Sequence, residues 1–280
     1  MKYIKYIAVS LVLGLGIVSC TKHEILYDTN PVTSKIAEFQ LHYFEPITAV
    51  AANNIDSVFV NGILYSSVKG SGQLVTYNGV PGGATGRFFA IEAGTVNFKF
   101  FRGPNLVYDF NATLMPGKQN VFVYDLTKAP IVIDNGYPYR PKNTGATVAG
   151  WDTDSIQTVR FYNFLYEDAT TPYPGKIQYQ YEEFWTKEWR NVGAAVAFGE
   201  ATERIEIVVV KETYNSSGSR RVNYRMLDKD GNILQVRNSS GSMVNYSDYW
   251  TGYIGRAYIH IYGGVRTAAP IASVRQWTAL

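Results

Sequence analysis

Three histidines, two adjacent carboxylate pairs and one cysteine are the groups from which chemistry could be built in this 280-residue chain. His23, His42 and His260 stand far apart, and none has a companion at the i+2 or i+4 spacing that a metal site uses. No metal is expected. Glu167-Asp168 and Glu182-Glu183 are neighbours in sequence, and neighbours on a strand point to opposite faces, so neither pair can act by itself as a catalytic dyad. Asp228-Lys229-Asp230-Gly231-Asn232 matches a calcium loop for a few positions but lacks its distal bidentate glutamate, so a β-turn is expected there. There is no Gly-x-Ser-x-Gly elbow, P-loop or dinucleotide fingerprint. The residues point to binding without catalysis, and to no cofactor.

Aromatic residues carry the binding signal. The 22 tyrosines outnumber the 14 phenylalanines and 5 tryptophans together. They are densest in Phe184-Trp185-Thr186-Lys187-Glu188-Trp189-Arg190 and in Tyr246-Ser247-Asp248-Tyr249-Trp250-Thr251-Gly252-Tyr253. An exposed ring offers apolar area to a sugar face while keeping a polar edge in water. Trp185, Trp189, Tyr249 and Trp250 are therefore the candidate ligand-binding residues. Burial in a sandwich core is the competing reading, and exposure of the four rings decides between them.

Cys20 is the sole cysteine, which excludes an intramolecular disulfide or a cysteine-based zinc site. It follows a positive segment holding Lys2 and Lys5, an apolar run over residues 7–18, and the small residue Ser19. That order reads as a secretion signal, and the run falls short of the roughly 20 residues a membrane helix needs. Ile17-Val18-Ser19-Cys20 resembles the lipobox of bacterial lipoproteins. The resemblance implies cleavage before Cys20, lipid on its thiol and amine, and anchorage to a membrane. Several acyl chains at about 0.8 kcal/mol per buried methylene make such an anchor effectively permanent. Thr21-Lys22-His23-Glu24 then reads as a polar tether, and it partly resembles tags that export lipoproteins to the outer face.

Without Lys2 and Lys5 the 26 basic residues fall by two, against 23 acidic ones, so the mature chain is close to neutral. A nucleic-acid partner is not expected. Strands are expected throughout. Segments such as Asp56-Ser57-Val58-Phe59-Val60-Asn61, Thr95-Val96-Asn97-Phe98-Lys99-Phe100 and Arg204-Ile205-Glu206-Ile207-Val208 alternate with period two, and Asn-Gly, Pro-Gly and Asp-Gly pairs punctuate them. Phe39-Gln40-Leu41-His42-Tyr43-Phe44 opens one half much as Val159-Arg160-Phe161-Tyr162-Asn163-Phe164 opens the other. Near their ends, residues 117–124 match residues 255–262. An all-β chain of two tandem antiparallel sandwiches follows. Its expected parts are a signal peptide over 1–19, a lipidated tether over 20–34, sandwiches over 35–135 and 155–280, and a linker over 136–154.

A lipobox, an opening aromatic strand, the Asp56, Val60, Asn61 and Gly62 hairpin, the Ala93-Gly94 turn and the closing Gly117-Lys118 strand together resemble surface lipoproteins of Bacteroidota-type cells. Those carry tandem immunoglobulin-like or transthyretin-like domains of unknown function. The second half matches less well, since it has no clear Asn-Gly hairpin after Tyr173. The resemblance implies a β-sandwich fold and a cell-envelope location, with lipid anchorage to the outer membrane and surface display. Asp154-Ser155-Ile156 resembles the short sites at which such cells attach O-glycans, which makes Ser155 a candidate modification site. The expected partners are the membrane, through lipid on Cys20, and an extracellular polysaccharide, either directly or as accessory to an outer-membrane uptake complex. The alternative is an adhesion or assembly module that binds another surface protein.

Overall fold

Period-two alternation and glycine-rich turns set the strand order. The computed structural model describes residues 35–48, 50–67, 75–76, 79, 88–134, 147–148, 151–152, 156–208, 219–253 and 255–278. The leader, Cys20, the tether, Ser155 and most of 136–154 lie outside the described residues. The first half contains β1 (Ile36–Tyr43), β2 (Ser57–Val60), β3 (Ile63–Ser67), β4 (Phe89–Glu92), β5 (Gly94–Arg102), β6 (Asn105–Leu114), β7 (Gly117–Val123) and β8 (Ile131–Asp134). These form two four-stranded sheets, β4-β1-β7-β8 and β3-β2-β5-β6. Within 136–154, β9 (Thr147–Val148) pairs with β10 (Trp151–Asp152).

The second half contains β11 (Ile156–Tyr166), β12 (Gln178–Glu182), β13 (Trp189–Asn191), β14 (Ile205–Val208), β15 (Ser219–Leu227), β16 (Gln235–Arg237), β17 (Met243–Asn245), β18 (Ser247–Tyr253), β19 (Ala257–Val265) and β20 (Ser273–Thr278). Its sheets are β14-β11-β19-β20 and β13-β12-β15-β18, with β16 and β17 as a separate hairpin. Apart from that inserted hairpin, the order repeats the first half strand for strand. The chain is an all-β protein of two sandwiches, and the internal duplication is present in its topology.

Two details differ from the expected pattern. The inner sheets are mixed, with β1 parallel to β7 and β11 parallel to β19 while their other partners are antiparallel, whereas the outer sheets are antiparallel throughout. The closing strands also correspond one residue away from the alignment suggested by sequence. Leu41 pairs with Val121, and its counterpart Phe161 pairs with His260 rather than Ile259. A one-residue slip exchanges the two faces of a strand, and here it places Val121 in the first core but Ile259 outside the second.

Local chemistry explains the hairpins. Asn61 and Gly62 both have positive φ, 48° and 78°, as a two-residue turn matching strand twist requires. Asn61 Oδ1 also accepts the Asn97 N–H at 2.8 Å, tying the turn to β5. In the second half the corresponding β12–β13 connection is the longer segment 183–188, where Lys187 takes the positive φ of 59°. That replacement explains why no Asn-Gly pair marks the turn, and it supplies the loop that carries Phe184 and Trp185.

Each half has its own core. Phe39, Leu41, Val58, Phe98, Phe100 and Val121 fill the first, and Phe161, Tyr179, Tyr224, Trp250 and Tyr262 contribute to the second. A third apolar cluster joins them, with Phe44 and Phe122 from the first half meeting Tyr162, Phe164, Ile259 and Ile261 from the second. Phe122 and Phe164 stack at 4.4 Å between ring centres. Polar groups cross the same seam: His42 Nε2 lies 3.0 Å from Asn120 Oδ1, and Asn120 Nδ2 donates to Tyr162 Oη at 3.1 Å. The central strands β1, β7, β11 and β19 are therefore covered on both faces, which their nearly unbroken burial reflects. The outer sheets keep one face toward water.

Candidate functional site

The outward face of β13-β12-β15-β18 gathers two of the four candidate rings. In β15, Val222, Tyr224 and Met226 point into the core. Alternation then turns Arg221, Asn223 and Arg225 outward. Pairing opposes Trp189 to Glu182 on one side and Asn223 to Tyr249 on the other. Asn223 Nδ2 donates to Glu182 Oε2 at 2.7 Å and closes the gap between the two pairs. Trp189, Glu182, Asn223 and Tyr249 thus form one row across four strands, spanning three inter-strand spacings or about 14 Å.

A network of amides and guanidinium groups fills the face around that row. Arg225 Nε donates to Gln180 Oε1 at 2.8 Å, and Gln180 Nε2 donates to Asn191 Oδ1 at 2.8 Å. Arg221 Nε donates to Asn223 Oδ1 at 3.1 Å. The guanidinium carbon of Arg225 sits 4.3 Å from the centre of the Trp189 ring, and that of Arg221 sits 3.8 Å from the Tyr249 ring. Guanidinium groups stack this way because ring quadrupoles attract cations. Partial burial holds the Arg225 pKa below its ordinary value.

The other two candidates lie elsewhere. Trp250 follows Tyr249 on the same strand, so it faces the core, where it is 1% exposed. Its ring lies edge-on to His260 at 4.9 Å and tilted against Tyr224 at 5.9 Å. Trp250 is a core residue, which corrects its expected placement on a ligand face. Trp185 sits in the 183–188 turn, edge-on to Phe184 at 5.7 Å. The turn is held by Thr186 Oγ1 donating to Glu183 at 2.6 Å and by Arg190 pairing with Glu183 and Glu188. Beside it, Tyr181, Phe184, Trp185, Arg220 and Glu206 line a groove of about 130 Å³. That is smaller than the roughly 300 Å³ at which ligand pockets begin. A shallow depression of about 540 Å³ adjoins the sheet at Gln178, Gln180 and Asn191, with Lys176 on its wall.

The histidines are interior. His42 stacks on Phe122 at 4.7 Å, and burial lowers its pKa to about 4 against a smaller opposing effect of Asn120. His260 meets Tyr179 Oη at 2.8 Å through Nδ1, and burial lowers its pKa to about 3. Asp228 closes a tight turn, its Oδ1 accepting the backbone N–H groups of Asp230 and Asn232. Among the described residues no cluster of histidine, cysteine or carboxylate groups could hold a metal ion.

Sequence reasoning missed Arg221, Asn223 and Arg225. Their signal was the strict alternation of residues 221–226, which marks a strand with a polar outer face.

No protein-family model matches the chain, and no curated protein is similar to it. Among solved structures, 82% of the chain is similar to a leucine-rich repeat protein of Bacteroides thetaiotaomicron, at 10% identity and TM-score 0.21, spanning 26% of that protein. A proposed cell adhesion protein of Bacteroides uniformis matches 86% of the chain over 96% of its own length, at 10% identity and TM-score 0.22. One of Bacteroides ovatus matches 87% of the chain over 98% of its own, at 9% identity and TM-score 0.20. No described helix is long and apolar enough to cross a membrane.

Proposed function

We propose that this chain is a lipid-anchored envelope protein that binds an extracellular glycan, without catalysis, on the outer face of β13-β12-β15-β18. The observation that carries the reading is the row of Trp189, Glu182, Asn223 and Tyr249, in which two rings flank a hydrogen-bonded polar centre. A sugar chain needs apolar contact for its ring faces and donors and acceptors for its hydroxyls, and this row offers both. Its span exceeds one sugar unit, so the ligand is an oligomer or polymer.

The test uses the mature chain. Trp189→Ala and Tyr249→Ala should each weaken a glycan identified by array or gel retardation by about 1–2 kcal/mol, or about 5- to 30-fold in Kd. Unchanged affinity in both variants would remove the site. The anchor is tested separately at Cys20, the sole cysteine of the sequence. Cys20→Ser should move the protein from the detergent phase to the aqueous phase with its fold intact. Retention in the membrane fraction after a salt wash would place the anchor elsewhere.

A further inference from the structure

We infer that the polymer recognised by this face is acidic, a polysaccharide bearing carboxylate or sulfate groups that meet Arg221 and Arg225. The inference rests on the glycan-binding reading of the same face and names its ligand class.

The two arginines differ from the other cations that face solvent on the outer sheets. In the first half Lys99 of β5 pairs with Asp109 of β6 at 3.3 Å. At the β12–β13 turn Arg190 pairs with Glu188 at 2.7 Å. Arg221 and Arg225 use Nε on amide oxygens and lay their planes on the Tyr249 and Trp189 rings, and neither has a carboxylate partner among the described residues. Burial lowers the Arg225 pKa.

This arrangement prepares the side chains for an anion. Stacking and the Nε bond fix the guanidinium plane in the free protein, so little rotamer freedom remains to be lost on binding. The Nη edges are left for the fork-shaped contact that guanidinium makes with carboxylate or sulfate oxygens. Glu182, the one carboxylate in the row, is bound by Asn223 and lies between the two stacked pairs. It separates the cationic points. The acidic units of the ligand should therefore fall on either side of a neutral stretch.

The experiment is affinity gel electrophoresis of the mature chain at fixed ionic strength, in gels containing polygalacturonate, dextran sulfate or neutral dextran. Retardation by an acidic polymer but not by dextran is expected, and the polymer that retards more strongly tells carboxylate from sulfate. Arg221→Gln combined with Arg225→Gln should weaken it about tenfold or more while the melting temperature falls by only a few degrees and unfolding stays cooperative. Equal retardation by dextran, or full retention of binding in the double variant, would overturn the acidic ligand and leave the glycan reading standing. Retardation by none of the three, together with an empty glycan array, would overturn both.

Discussion

Trp250→Ala will cost about 3–5 kcal/mol of folding free energy, whereas Tyr249→Ala beside it will cost about 0.5 kcal/mol or less. The contrast follows from strand geometry. Trp250 is 1% exposed and packs among Tyr179, Tyr224 and His260, so removing the indole opens a void that surrounding β-structure can only partly close. Tyr249 is 45% exposed and touches Arg221 on the solvent face. For a domain of this size each kcal/mol moves the melting temperature by roughly 2–4 °C, so Trp250→Ala should melt about 6–20 °C lower. Trp250→Phe should recover much of the loss, because the indole N–H has no hydrogen-bond partner among the described residues. Thermal melts of the three variants beside the parent protein decide it. A Trp250→Ala melt that overlays the parent would put the ring on the surface.

The strands of the outer sheets were legible because one side of each meets water. Alternation in residues 95–100 becomes the in-and-out pattern of β5, and Asn61-Gly62 is a turn because few other residue pairs accept two positive φ angles. The inner sheets were legible as strands but not as faces. β19 is buried along its whole length because its second face meets the other half, and no local pattern separates a seam from a core. The same ambiguity hid the one-residue slip between β7 and β19. With apolar residues on both faces, either alignment satisfies the hydrophobic pattern.

The site was half legible for a related reason. Period two says that Tyr249 and Trp250 face opposite ways, but it does not say which ring is inside. The neighbouring strand supplies that answer, because Val222 pairs with Trp250 and Asn223 with Tyr249. The tyrosine excess also pointed too strongly outward. Tyr179, Tyr224 and Tyr246 are core rings whose hydroxyls find buried partners, so much of the aromatic content fills the second sandwich rather than its surface.

Acid will destabilise the fold between pH 6.5 and pH 4, before the carboxylates contribute. His42 and His260 are fully buried and neutral, with pKa values lowered from 6.5 to about 4 and about 3. In the unfolded chain both take up a proton near pH 6.5, so below that pH the unfolded state binds more protons and stability falls. Each histidine contributes a slope of about 1.4 kcal/mol per pH unit, and the two together remove roughly 6 kcal/mol by pH 4. That is a large part of the 5–15 kcal/mol that holds a typical domain together. Asp109, Asp125 and Asp168 have pKa values below 3.8, so their loss comes at lower pH and leaves this window to the histidines. Urea unfolding at pH 7, 5.5 and 4.5 should show the decline, and His42→Phe and His260→Phe should each remove about half of its slope. His42 belongs to the seam, through Asn120 and Tyr162, while His260 lies under Trp250 in the second core. The first variant should therefore protect contact between the halves, and the second the core of one half. Stability that stays flat from pH 7 to pH 4.5 would mean that both imidazoles reach water in the folded chain, and the seam would lose its buried polar link.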